Sequence, residues 1–184
     1  MPSKFKNIEV EIEPLSKHHD FLSFDCYTGY KGDLELNDFI KSDALNETDE
    51  GWNRTYAVIA KNTNTVVAFF TIVPESFKIL RQVKEEKNKP YTQIPAFKIA
   101  RLAVDKNFQG CGLGAFLMDY ALGFIIQKLI KNGGGRYITV DAFPHRIKWY
   151  KENFGFTENT MIKQDGLSFT NLILDTKLYS EKLK

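Results

Sequence analysis

Cysteine is nearly missing from this chain. Cys26 and Cys111 are the only two in 184 residues, too few for a disulfide framework, and neither belongs to a CxxC pair. Histidine is as sparse, and His18, His19 and His145 show no spacing that suits a metal cluster, so no metal is expected. No run of about 18 apolar residues stands out as a membrane span. Met1-Pro2-Ser3-Lys4-Phe5-Lys6 lacks the apolar core of a signal peptide. The expectation is therefore a cytoplasmic protein with no membrane partner. An excess of one charge is also lacking, because a net charge of +2 is too small to imply a nucleic-acid partner by itself. No internal repeat, low-complexity block or linker appears, so residues 1–184 are expected to form one domain, large enough to bury about 70% of the unfolded surface.

What is present centres on Gln109-Gly110-Cys111-Gly112-Leu113-Gly114-Ala115. Before it, Phe97-Lys98-Ile99-Ala100-Arg101-Leu102-Ala103-Val104 is apolar and β-branched enough for a buried strand. After it, Ala115 to Ile130 is long and apolar enough for a helix. Three glycines at alternate positions where a helix begins leave backbone N–H groups uncovered, and with the helix dipole those donors suit a phosphate or pyrophosphate. A P-loop would need a Lys followed by Ser or Thr after the glycines, and neither is there. A dinucleotide fingerprint tolerates Gly110-x-Gly112-x-x-Ala115, but it opens a domain whose later βα units complete the cofactor site. Only 69 residues follow Ala115, and they read as two helices and two strands.

In chain order, Ile8 to Pro14 alternates apolar and acidic positions and predicts a half-buried strand stopped by Pro14. A helix is predicted from an N-cap at Ser16 to Phe24. Leu34, Leu36, Phe39, Ile40 and Leu45 recur at helical spacing and predict a second. Thr55 to Ala60 and Val66 to Val73 read as strands joined by a hairpin turn over Lys61-Asn62-Thr63-Asn64-Thr65. Between Ser76 and Pro90, Lys78, Arg81, Lys84 and Lys87 form a loose basic stripe, the usual pattern of a solvated face. Gly133-Gly134-Gly135 supplies C-capping residues. Arg136 to Ala142 reads as a strand, a short helix follows Pro144 and ends near Gly155, and Leu167 to Leu174 is strand-like. The Lys-rich tail beyond is expected to fray.

From Ile8 to Leu174 the chain resembles the GNAT family of N-acetyltransferases. The likeness rests on Ala100-Arg101-Leu102-Ala103-Val104 and on the loop Gln109 to Gly114, which fits that family's Gln/Arg-x-x-Gly-x-Gly/Ala pattern. It extends to Val140-Asp141-Ala142-Phe143 and to Trp149-Tyr150-Lys151-Glu152-Asn153-Phe154-Gly155-Phe156. Phe24-Asp25-Cys26, the Leu36 to Leu45 helix and Arg54-Thr55-Tyr56 also resemble the bacterial branch that includes toxins acetylating aminoacyl-tRNA. One departure is Arg146, where a small residue is common. It would narrow the cofactor cleft or meet a cofactor phosphate.

The resemblance implies an α/β (α+β) fold in three layers, with helices on both faces of a mixed, twisted sheet. Its fourth and fifth strands, Phe97–Val104 and Arg136–Ala142, would splay apart to admit acetyl-CoA. The backbone of Leu102, Ala103 and Val104 would then pair with the pantetheine arm. The amides of Gln109, Gly110, Cys111, Gly112, Leu113, Gly114 and Ala115 would hold the pyrophosphate, and Tyr150 would protonate the departing thiolate as the catalytic acid. The Phe97 to Val104 strand, where many relatives place a glutamate, has no acidic residue. Glu75 and Asp141 are candidate proton relays or ordinary strand-end carboxylates. An α-amine with a pKa near 8 is partly neutral at physiological pH and a lysine near 10.4 is rarely so, which favours an α-amine or aminoacyl acceptor. The acceptor is thus a small-molecule or aminoacyl amine, with tRNA and a homodimer partner left open. A non-catalytic CoA-binding module is the alternative of another class, and the presence of Tyr150 counts against it.

Overall fold

The computed structural model describes residues 3–5, 8–78, 93–164 and 166–182. Eight strands form a mixed sheet in the order β1-β2-β3-β4-β5-β6-β8-β7. They are β1 Ser3–Phe5, β2 Ile8–Pro14, β3 Arg54–Ala60, β4 Val66–Lys78, β5 Gln93–Val104, β6 Tyr137–Ala142, β7 Thr157–Gln164 and β8 Leu167–Asp175. The chain divides into two compact units, Met1–Val73 with Ala100–Ala121, and Pro74–Ile99 with Leu122–Lys184.

In the first unit β1, β2, β3 and β4 pair antiparallel in sequence order, and a bulge interrupts β3 at Val58/Ile59. The β3–β4 hairpin turns through Asn62, whose φ of 64° suits asparagine better than most side chains. The predicted helix at Ser16–Phe24 does not form. That segment turns instead, because Asp20 N–H donates to Asn64 O at 2.7 Å and Val66 N–H donates to Asp20 O at 2.9 Å. Bonds to the hairpin have replaced the helix's own, tertiary context overriding a weak local preference.

The second predicted helix does form. It runs as α1 Lys31–Asp38, a wide turn over Phe39–Asp43, and α2 Ala44–Asp49. The wide turn accommodates one extra residue per turn, so Leu36, Phe39, Ile40 and Ala44 keep to one side. That side meets Phe24, Ala57, Phe69 and Ala103 in the core of this unit. Phe24 and Phe69 meet edge to face at 5.3 Å, each fully buried and contributing about 1.5–3 kcal/mol by burial.

Helix α3 spans Leu113–Phe124 and continues through a second wide turn, Ile125–Ile130, to Lys131–Gly133. Contrary to the sequence expectation, its 21 residues are long and apolar enough to cross a membrane. Leu113, Leu117, Met118, Ala121, Leu122 and Ile125 are fully buried in the fold at helical spacing, which is the stripe of a core-facing helix.

In the second unit β5 and β6 are parallel, and β6, β8 and β7 are antiparallel neighbours. Phe77, Ile94, Ala96, Tyr137 and Ile173 form its core. Arg136 forks onto Asp175 with bonds of 2.9 and 2.8 Å. Among the described residues the β5–β6 ladder covers only Ala96–Lys98 against Tyr137–Thr139. The strands read as fourth and fifth in the sequence, here β5 and β6, thus pair over three positions and no further.

β7 was not legible in the sequence. It is an exposed edge strand of largely polar residues with Met161 72% exposed. Two further helices lie among the described residues, α4 Ile147–Phe154 and α5 Thr176–Lys182. The tail expected to fray begins as α5, because Thr176 Oγ1 donates to Arg136 O at 2.7 Å and Asp175 Oδ1 accepts from Lys177 N–H at 3.1 Å. Of the basic stripe, Lys78 ends β4 as an exposed residue. Arg81, Lys84 and Lys87 lie outside the described residues.

Candidate functional site

The glycine loop lies in the first unit, between β5 and α3. Gly110 and Gly112 have φ of 73° and 89°, values that a side chain adopts only with strain. The first helical N–H···O bond at this end runs from Phe116 to Gly112 O at 3.1 Å. The amides of Leu113, Gly114 and Ala115 therefore have no intrahelical acceptor, and they sit at the positive end of the α3 dipole. A Cβ placed on Gly110 or Gly112 would meet nothing within 4 Å, so space lies beside both residues. Gly114 has a different job. A Cβ there would lie 3.6 Å from Val104 Cγ2, where the helix passes β5.

Gln109 is held by its side chain, whose Nε2 donates to Val104 O at 2.9 Å and to Cys26 O at 3.3 Å. Both of its side-chain N–H donors are thus used, and its backbone N–H is the donor left for a ligand. Cys111 Sγ donates to Phe108 O, which turns the thiol back onto its own loop. Cys111→Ser keeps that donor, and we expect the variant to retain most of its activity in a steady-state assay. A loss of about a thousandfold with a trappable acetylated enzyme would assign a covalent route to the thiol.

Sequence reading missed the residues that seat this loop. Asp105 accepts from Asn107 N–H at 2.9 Å and from Asp25 N–H at 3.0 Å. The Asp25 carboxylate accepts from Lys106 Nζ at 2.7 Å, Asn37 Nδ2 at 2.8 Å and Tyr27 N–H at 3.0 Å. The Lys106 hydrogen bond, followed by those from Tyr27 and Asn37, holds this carboxyl well below the usual carboxylate range. Asp25 thus joins α1 to the approach to the loop. The Phe24-Asp25-Cys26 block was visible in sequence, but its partners Asn37 and Lys106 stand 12 and 81 residues away. Burial pushes the neighbouring Cys26 thiol up to about 12. Its Sγ donates to Asn37 Oδ1 at 3.2 Å and Asp33 O at 3.4 Å, so it is an inert core group.

Tyr150 belongs to α4 of the second unit. Pro144–Arg146 forms a single 3₁₀ turn that starts the helix, and Gly155 ends it with φ of 76°. The Tyr150 ring meets Trp149 at 4.9 Å and Phe156 at 5.7 Å, both edge to face. Burial pushes its phenol up to about 12, with the nearby Arg146 charge opposing. The group is therefore a proton donor at neutral pH. Among the described residues its hydroxyl has no hydrogen-bond partner, although the ring is half buried.

The two candidate relays stand on the sheet of the same unit. Lys98 Nζ donates to Asp141 Oδ2 and lies 3.6 Å from Glu75 Oε2. Asn171 Nδ2 donates to Asp141 Oδ1 at 2.8 Å, and Thr139 Oγ1 donates to Glu75 Oε1. Both carboxylates are thus engaged in strand-to-strand bonding, Glu75 from within β4 and Asp141 from near the end of β6.

Comparison with known proteins adds four findings. The family described as Acetyltransferase (GNAT) matches residues 22–156. A tRNA-acetylating toxin of Mycobacterium tuberculosis is 26% identical over 125 residues, which cover 68% of this chain and 74% of that protein. Among solved structures, AtaT complexed with acetyl-methionyl-tRNAfMet superposes with a TM-score of 0.76 at 21% identity, covering 95% of this chain and 99% of that one. AtaTR bound with AcCoA gives 0.73 at 23% identity, covering 95% and 98%.

Proposed function

Since this chain belongs to the acetyltransferase (GNAT) family, we propose that it transfers the acetyl group of acetyl-CoA to the α-amine of an aminoacyl-tRNA, in the cytoplasm. The amides from Gln109 to Ala115 bind the pyrophosphate, and the Leu102–Val104 backbone pairs with the pantetheine arm as an added strand would. The neutral amine attacks the thioester carbonyl carbon. The new C–N bond replaces the C–S bond, the electron pair leaves on sulfur, and Tyr150 protonates the thiolate while water removes the proton from nitrogen. The observation that carries this reading is the Tyr150 hydroxyl, protonated, half buried and without a hydrogen-bond partner among the described residues. The acceptor class is supported by the mycobacterial relative, a tRNA-acetylating toxin, and by the pKa advantage of an α-amine over lysine.

A second reading has its own support. The α1–α2 segment, Lys31 to Glu50, carries seven carboxylates against two lysines, and with Asp33 buried the rest make a surface that suits a small cationic amine better than a polyanion. Replacing Lys78, Arg81, Lys84 and Lys87 separates the two. With tRNA as acceptor, the variant should acetylate more weakly and show a flatter salt dependence, since fewer counterions are released on binding. Near-parental kinetics would favour the small amine. The direct test offers labelled acetyl-CoA and the protein to pools of amines, peptides and charged tRNA. Label entering charged tRNA supports the proposal, label entering free amines alone replaces it with the second reading, and binding without transfer to any pool makes the protein a CoA-binding module.

A further inference from the structure

Arg101 lies on β5 immediately before Leu102–Val104, and two residues from Ala103, which faces the same core as Phe39. Its guanidinium rests 3.6 Å from the centroid of the Phe39 ring. A cation on a ring at that distance is held by the ring's quadrupole and by dispersion, which fixes the plane of the fork without using its N–H donors. Those donors have no hydrogen-bond or ion-pair acceptor among the described residues. A half-buried guanidinium that is oriented but unbonded is unusual, because such groups ordinarily bond to carboxylate or carbonyl oxygens of their own chain. Burial lowers its pKa from the ordinary arginine value, and Glu47, Asp43 and Glu35 oppose that shift. Three carboxylates therefore lie within electrostatic reach, none of them paired with it. A bare phosphate would find this field unfavourable. A group with an amine nitrogen three bonds from a carbonyl oxygen would find both of its ends matched, and that group is an α-aminoacyl unit.

We propose that Arg101 is the specificity-determining residue of the acceptor site, donating its free N–H groups to the carbonyl oxygen of an α-aminoacyl acceptor whose amine is drawn by Glu35, Asp43 and Glu47. The inference rests on the aminoacyl reading given above and names the residue that recognises the acceptor. It also places the acceptor carbonyl beside the stretch of β5 assigned to the pantetheine arm, successive strand residues being about 3.3 Å apart.

The test is calorimetric binding of 3′-phenylalanylamino-3′-deoxyadenosine, a non-hydrolysable aminoacyl-adenosine mimic, to the full chain in the presence of CoA. Arg101→Met should weaken its binding about 10- to 100-fold, the range for losing charged hydrogen bonds. Arg101→Lys, which keeps the charge and loses the fork, should fall between Met and parent. Acetyl-CoA affinity should stay within about twofold in both variants, since the fork touches none of the groups assigned to the cofactor. Equal mimic affinity in parent and Arg101→Met overturns the assignment and leaves the aminoacyl reading standing. Parallel loss of mimic and acetyl-CoA binding overturns it in favour of a purely structural arginine. No binding of the mimic by the parent removes the aminoacyl reading and this inference together.

Discussion

Tyr150→Phe should lower kcat by about 10²–10⁴ with acetyl-CoA affinity unchanged. The substitution removes one oxygen and keeps the ring, so the contacts with Trp149 and Phe156 survive. A tyrosine that only packs α4 would show almost unchanged turnover. The acid role also sets a pH profile. With the phenol raised to about 12, its neutral, donating form persists from about pH 7 past the ordinary tyrosine range near 10. The parent enzyme should thus show no alkaline fall in kcat below about pH 11, and the acceptor amine should govern the acidic limb. If chemistry is shown to be rate-limiting and Tyr150→Phe still costs less than about threefold, Tyr150 is a core aromatic and no more.

Gly112→Asp should abolish acetyl-CoA binding in a calorimeter that detects the parent readily. Two physical effects combine. The backbone at Gly112 has φ of 89°, where a side chain costs about 1–3 kcal/mol of strain. The carboxylate also brings a negative charge to the end of α3 where the pyrophosphate is proposed to bind, replacing an attractive field with repulsion. Gly112→Ala separates the two. Its Cβ would meet nothing within 4 Å, so it carries the strain without the charge and should bind with intermediate affinity. Equal affinities for parent and Gly112→Asp would move the cofactor away from this loop.

Much of this was legible because single residues carried it. The strand, glycine turn and apolar helix around Gly110 and Gly112 could be read from their spacing, and both glycines take positive φ at that turn. The alternation of Ile8 to Pro14 gave β2 with its observed ends, since one face is buried and the other is not. Tyr150 could be placed through the Gly155-Phe156 that follows, because only glycine closes α4 readily in the left-handed conformation. What failed depended on distant partners. Ser16–Phe24 carries helix-start chemistry, but the backbone of Asp20 at its centre bonds to Asn64 and Val66. β7 shows no apolar alternation because it lies at the sheet edge and gains its order by pairing with β8. The seating of the loop by Asp25 and Asp105 joins positions 80 residues apart, a relation that no local pattern records. Arg101 was visible as part of a motif, yet its placement over the Phe39 ring joins two distant positions and could not be read from the sequence.

The most direct test of the account measures CoA thiol release and N-acetyl-aminoacyl-adenosine formation in the same reaction, the latter by mass spectrometry after nuclease digestion of the tRNA. One thiol released for each acetylated α-amine, with neither formed on deacylated tRNA, is the predicted result. Thiol release without acetylated aminoacyl product, or acetyl groups recovered on the protein itself, would contradict it.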